Sequence, residues 1–271
     1  VSHGGGGTHR DYQLAHYDAH YPRHATAVRQ QLAHPVFRAW NDRIAERVLD
    51  HAPPGREAGR PLRVYEAGCG EGLLASAFQR VAARRSLPLA YTGSDLSPAG
   101  LGIAREAVPG GEFVAGDATE VTASLPPGSQ DLVVCKNLLH HMDDPAAFLR
   151  AAAHAAGPEG RVAIVEARRG CIPFVLVTGL FFTRREKHYF KGRRRNLVRP
   201  VEAAGLRPVH TEVFSWFPFE LFFAIRVPWF RRLVPTDNAR TLARIAAADD
   251  WLAAKLPWST CYDIWLTRPS P

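Results

Sequence analysis

The sequence predicts a doubly wound α/β fold: a mostly parallel seven-stranded sheet with helices on both faces, preceded by a helical segment and decorated by a C-terminal helical cap. Three observations carry this. Short β-type runs alternate with helix-length segments from Leu62 onward. A glycine-rich turn, Gly68-Cys69-Gly70-Glu71-Gly72, joins the first such run to the first helix. Acidic residues recur where these runs end, at Glu66, Asp95 and Asp117. With 271 residues, 46% of them hydrophobic, the chain can bury one sizeable core and is too apolar for a disordered chain.

In chain order, residues 1–9, which hold four successive glycines, read as a disordered or artificially appended end. Residues 10–55 form a helical segment. Within it Ala27 to Asp50 places Val36, Phe37, Trp40, Ile44 and Val48 near helical spacing, with Pro35 as an interruption. Residues 56–271 make the main domain. Strands are expected at Leu62–Glu66, Leu89–Ser94, Phe113–Gly116, Asp131–Cys135, Arg161–Glu166, Arg207–Phe214 and Tyr262–Leu266. Helices are expected at Glu71–Arg84, Ala99–Ala107 and Asp144–Ala155, the last with Asp144 as N-cap and Pro145 at its first position. A short helix ends at Gly205, and another covers Ala239–Leu256.

Charge and cysteine content narrow the functional classes. Four scattered cysteines without a C-x-x-C pair exclude a disulfide scaffold and a cysteine zinc site, and they suit a reducing cytosol. The net charge is +8, and eight Lys or Arg against Glu186 alone fall between Arg184 and Arg199. That run reads as a solvated lid, as a reader of an anionic or carrier-bound substrate, or as a contact to anionic lipid. The apolar stretch Cys171–Phe182 is 12 residues long, too short to span a bilayer. It and the aromatic segment 215–258 suggest a greasy pocket roofed by 170–200 and 215–258. The expected protein is cytoplasmic, at most peripheral to a membrane. No metal site is expected: no H-E-x-x-H spacing occurs, and Asp143-Asp144-Pro145 is a helix cap.

The ordered set Glu66, Gly68-x-Gly70-x-Gly72, Asp95-Leu96, Asp117-Ala118 and Cys135-Lys136-Asn137 resembles the class I S-adenosylmethionine-dependent methyltransferases, in their small-molecule branch with quinone and lipid methyltransferases. The resemblance covers roughly residues 62–167. It departs from the G-x-G-x-x-G spacing of dinucleotide binders. It implies a Rossmann-like sheet whose last strand is antiparallel, and S-adenosylmethionine as cofactor. By this resemblance Glu66 and the loop of Gly68, Cys69, Gly70 and Gly72 hold the methionine part. Asp95 accepts the ribose hydroxyls, and Leu96 packs on adenine. Asp117 accepts the adenine amino group, Ala118 lines the ring, and Lys136 and Asn137 pass the sulfonium. Tyr17 or Tyr21 of the N-terminal segment reaches the cofactor carboxylate, or belongs to a solvated helix face. His141 and His140 are candidate bases, His141 preferred, with helix capping as the alternative role.

The implied reaction is in-line methyl transfer to O, N or C of a small hydrophobic metabolite of natural-product, quinone or lipid type. Two alternatives stand beside it: methylation of RNA or another anionic macromolecule, and a repurposed scaffold with non-methylating chemistry or binding alone. Nucleic acid is disfavoured. The fourth strand ends Cys135-Lys136-Asn137-Leu138, without the D/N-P-P-Y/F pattern of adenine amino methylases or the Pro-Cys of pyrimidine C5 methylases.

Overall fold

A computed structural model describes residues 32–53, 59–168, 194–216 and 238–270, together with Thr26 and Arg29. Residues 1–25, with Tyr17 and Tyr21, and most of the two roof segments lie outside the described residues.

The strands are β1 (Leu62–Ala67), β2 (Leu89–Asp95), β3 (Glu112–Ala115), β4 (Leu132–Lys136), β5 (Arg161–Ala167), β6 (Leu206–Phe214) and β7 (Tyr262–Pro269). They form one sheet in the order β3-β2-β1-β4-β5-β7-β6. β7 runs antiparallel to both β5 and β6, while β1 to β5 pair in parallel. The chain winds from β1 outward through β2 and β3, then returns to start again at β4 beside β1. Adjacent loops therefore leave β1 and β4 in opposite directions and open a crevice at their C-terminal ends, where open α/β sheets take their ligands.

The helices are α1 (Pro35–Asp50), α2 (Leu73–Arg84), α3 (Pro98–Ala107), α4 (Ala118–Ser124), α5 (Pro145–Ala156), α6 (Arg194–Ala203) and α7 (Ala239–Lys255). Pro35 interrupts the helical run as expected: Leu32 and Ala33 are helical, His34 is not, and α1 starts at Pro35, where a proline lacks only an N–H that would have no intrahelical partner; the His34 side chain accepts from Val36 N–H as cap. The periodic residues Val36, Phe37, Trp40, Ile44 and Val48 form its buried stripe. α4 has no counterpart among the helices expected from the sequence. Asp117 caps it by accepting from Thr119 and Glu120 N–H, an acid-x-x-Glu start hidden in a run rich in Thr. Asp144 caps α5 through Ala147 N–H, with Pro145 in the first turn.

The core has two layers, one on each face of the sheet. Val64, Val134 and Val165 pack with α1 and α2 on one side. Tyr65, Val133, Cys135 and Ile164 pack with α5 and α6 on the other. Strand alternation thus assigns each side chain at the crevice to a face.

Candidate cofactor and acceptor site

The crevice at the β1/β4 switch holds a cavity of about 510 Å³. Of the residues singled out from the sequence, it is lined by Glu66, Gly68, Cys69, Gly70, Asp95, Leu96, Asp117, Ala118, Lys136, Asn137 and His141. Gly72 and His140 are outside the lining. Glu71, Leu138 and Met142 are among the further wall residues that the sequence reading does not place in the site, and Asp143, read there as part of a helix cap, joins them.

The loop after β1 is shaped by its glycines. Gly68 has φ +71°, and a Cβ there would stand 2.9 Å from the Leu138 side chain on the cavity wall. Gly72, at φ +81°, caps α2, and a Cβ would press within 3.1 Å of the Ala104 backbone on α3. So Gly68 lets the Leu138 side chain pack against the loop, and Gly72 lets two helices approach. The loop is tied to β2 by Gly68 and Cys69 N–H donating to the Ser94 carbonyl at 2.8 and 2.9 Å.

Asp95 sits at the tip of β2. Its Oδ2 accepts from Gly70 N–H and its Oδ1 from Ser97 N–H, both at 2.9 Å. These bonds fix the carboxylate on the cavity wall. Removing it should weaken the binding of an adenosyl ligand by about 1–3 kcal/mol, the scale of losing hydrogen bonds to a charged group. Titration of Asp95→Ala with S-adenosylhomocysteine checks this; unchanged affinity in the folded variant removes Asp95 from the site.

Glu66 is buried at the end of β1 and accepts from the Tyr91 hydroxyl at 2.5 Å. Burial pushes its pKa up to about 8, against the opposing pull of Tyr91 and of Lys136. Burial also pushes the Cys69 thiol well above its ordinary value, reinforced by the charges of Glu66 and Asp95, so it is a wall and not a nucleophile. The Asn137 side-chain oxygen, at a residue with φ +52°, is buried on this wall without a hydrogen-bond partner among the described residues.

His140 and His141 take different environments. The short 3₁₀ turn Leu139–His141 follows β4. Glu166, at the end of β5 and buried, accepts from Leu138 N–H at 2.9 Å, Leu139 N–H at 2.7 Å and His140 Nδ1–H at 2.8 Å. His140 is thereby drawn into the core as a partner of Glu166, while His141 stays on the cavity wall with its ring 4.0 Å from that of His140. Sequence reasoning missed Glu166. The available signal was an acid closing a buried strand, as Glu66 does.

The cavity fits a cationic adenosyl cofactor. Glu66, Glu71, Asp95, Asp117, Asp143 and Asp144 surround it, against Lys136 as its one Lys or Arg among the described residues, in a chain of net charge +8. That local inversion of charge favours a sulfonium and an ammonium. The orphan oxygen of Asn137 marks a place shaped for a ligand.

Comparison with known proteins agrees. A family model, the methyltransferase domain, matches residues 65–164. The chain is 32% identical over 183 residues to the ubiquinone biosynthesis O-methyltransferase of Xylella fastidiosa, covering 65% of this chain and 69% of that protein. It is 31% identical over 150 residues to the protein of the same name from Xanthomonas euvesicatoria, covering 52% of this chain and 59% of that one. A SAM dependent methyltransferase from Archaeoglobus fulgidus shares the fold, with a TM-score of 0.54 at 17% identity, over 85% of this chain and 94% of that one. Sequence, strand order and the acidic cradle together place this chain in the class I S-adenosylmethionine-dependent methyltransferases that act on small molecules.

Proposed function

We propose that this enzyme methylates an oxygen of a small lipophilic acceptor of the phenol or quinol type, with His141 as the base. The observation that carries this reading is the composition of one cavity: a strand-tip cradle of carboxylates shares its walls with an imidazole and with Leu138, Met142 and Ala147. The names of the curated relatives support oxygen as the accepting atom.

S-adenosylmethionine, when bound, supplies a methyl already activated on a sulfonium. Glu66 and the Gly68–Gly72 loop hold its amino-acid end, Asp95 its ribose and Asp117 its base. Asp117 meets this role with the lone pairs left over from capping α4, where Oδ1 takes the two backbone N–H groups. The chain's part in the reaction is positional: reacting atoms held in line within about 3–3.5 Å remove much of the barrier. A phenol must also lose its proton, and His141, on the cavity wall, is the imidazole that would take it. Leu73, Leu74, Leu138 and Met142 keep the walls apolar, which favours a greasy acceptor and excludes water.

The test is incubation with S-adenosylmethionine and a panel of alkylated phenols, catechols and quinols, followed by mass spectrometry. Acceptor-dependent formation of S-adenosylhomocysteine with an O-methylated product is expected. Cofactor binding without turnover on any of them overturns this reading in favour of non-methylating use of the scaffold.

A further inference from the structure

The cofactor named above is a zwitterion at one end. Its amino-acid head carries an ammonium and a carboxylate beside the sulfonium. The acidic side chains on the wall serve the cationic groups; the cofactor's own carboxylate would be repelled by those that are ionised. Among the described residues, Lys136 is the one Lys or Arg that lines the cavity.

The position of Lys136 follows from the sheet. Glu66 on β1 is paired with Val134 on β4. Lys136 lies two residues beyond Val134, so alternation sends its side chain from the same face as Glu66. Both point to the side covered by α1, while Cys135 points to the other. There Lys136 Nζ donates to Asn41 Oδ1 at 3.1 Å. Asn41 is fully buried in α1, and its own Nδ2–H donates to the Phe37 carbonyl at 2.9 Å, which fixes the amide and turns its oxygen toward the lysine. Asn41 thereby anchors the ammonium on the cavity wall. The charge of Lys136 also acts on Glu66. A lysine and a glutamate side by side on one face form the counter-image of an amino-acid head.

We propose that Lys136 seats the α-carboxylate of the cofactor and that Asn41 is its positioning residue, so that α1 takes part in selecting a ligand with an intact amino-acid end. This rests on the cofactor reading above. Tyr17 and Tyr21, which the resemblance offers for the same carboxylate, lie outside the described residues. Asn41 acts through Lys136 and does not touch the ligand.

The experiment compares three ligands by calorimetry: S-adenosylhomocysteine, its decarboxylated analogue, and 5′-methylthioadenosine, which lacks the amino-acid head. The wild-type protein is expected to prefer S-adenosylhomocysteine to the decarboxylated form by roughly ten- to hundredfold, the loss of a charge-assisted hydrogen bond. Lys136→Gln should bring that ratio close to one without changing the affinity for 5′-methylthioadenosine. Asn41→Leu should lower the ratio in the same direction, and Lys136→Arg should restore part of it. Thermal melts accompany each variant, and the wild-type ratio is informative without any of them. A wild-type ratio near one, or a ratio unchanged in folded Lys136→Gln, overturns the assignment of the carboxylate. Failure of the wild-type protein to bind all three ligands instead overturns the cofactor reading itself.

Discussion

His141→Ala is expected to lower kcat by about 10²- to 10⁴-fold while leaving the affinity for S-adenosylhomocysteine unchanged. The split follows from where the ring stands. His141 is on the cavity wall in the turn after β4, and its backbone is pinned by its own N–H donating to the Leu138 carbonyl at 3.0 Å. Truncation at Cβ therefore removes the imidazole and leaves the turn. The contrast is His140. Its Nδ1–H serves Glu166, which also holds Leu138 and Leu139 N–H, so a change there loosens the whole turn. His140→Phe should lower thermal stability first and activity only through it. Steady-state kinetics with saturating cofactor, paired with melting curves, separate the two. Near wild-type kcat in His141→Ala would take this residue out of the chemistry and leave orientation alone to account for the rate.

The site was legible in the sequence to the extent that it is made by strand ends. Glu66, Asp95 and Asp117 each close a recognisable strand, and a sheet that winds outward twice from its centre must bring those ends to one crevice. What the sequence hid is made between elements far apart in the chain. Nothing local in a helix such as Pro35–Asp50 announces that Asn41 will meet Lys136, or that Tyr91 on β2 will donate to Glu66 on β1. Asp117 shows a third case, in which one residue has two readings: the acid that suggested a cofactor contact is also the cap of a helix the periodicity did not reveal. The antiparallel direction of β7 comes with the family resemblance, but its place between β5 and β6 does not, since pairing partners are set by the assembled sheet and not by the strand's own residues.

Glu66→Gln is expected to change the pH dependence of both stability and cofactor binding. In the folded protein burial raises the Glu66 pKa from 4.5 to about 8, the bond from Tyr91 and the charge of Lys136 offsetting part of the rise. A carboxyl with a raised folded pKa contributes its full stability below the unfolded value and loses it as pH rises through the folded one. Wild-type stability from this group therefore falls between about pH 4.5 and pH 8 and then levels off. Glutamine keeps an oxygen for the Tyr91 hydroxyl and has no proton to lose. The melting temperature of the variant should gain on wild type across that window and hold a constant lead above it. A difference that stays flat with pH would show that Glu66 is already ionised in the folded protein. Binding supplies the independent half of the test. An ammonium arriving beside Glu66 stabilises the carboxylate, so at pH 7 the wild-type protein should release a proton on taking S-adenosylmethionine. Calorimetry in two buffers of different ionisation enthalpy reads that proton directly. It should disappear in Glu66→Gln, together with part of the affinity. Stability and ligand affinity then move in opposite directions for one substitution, as expected where a buried charge is kept for a partner that the empty fold does not contain.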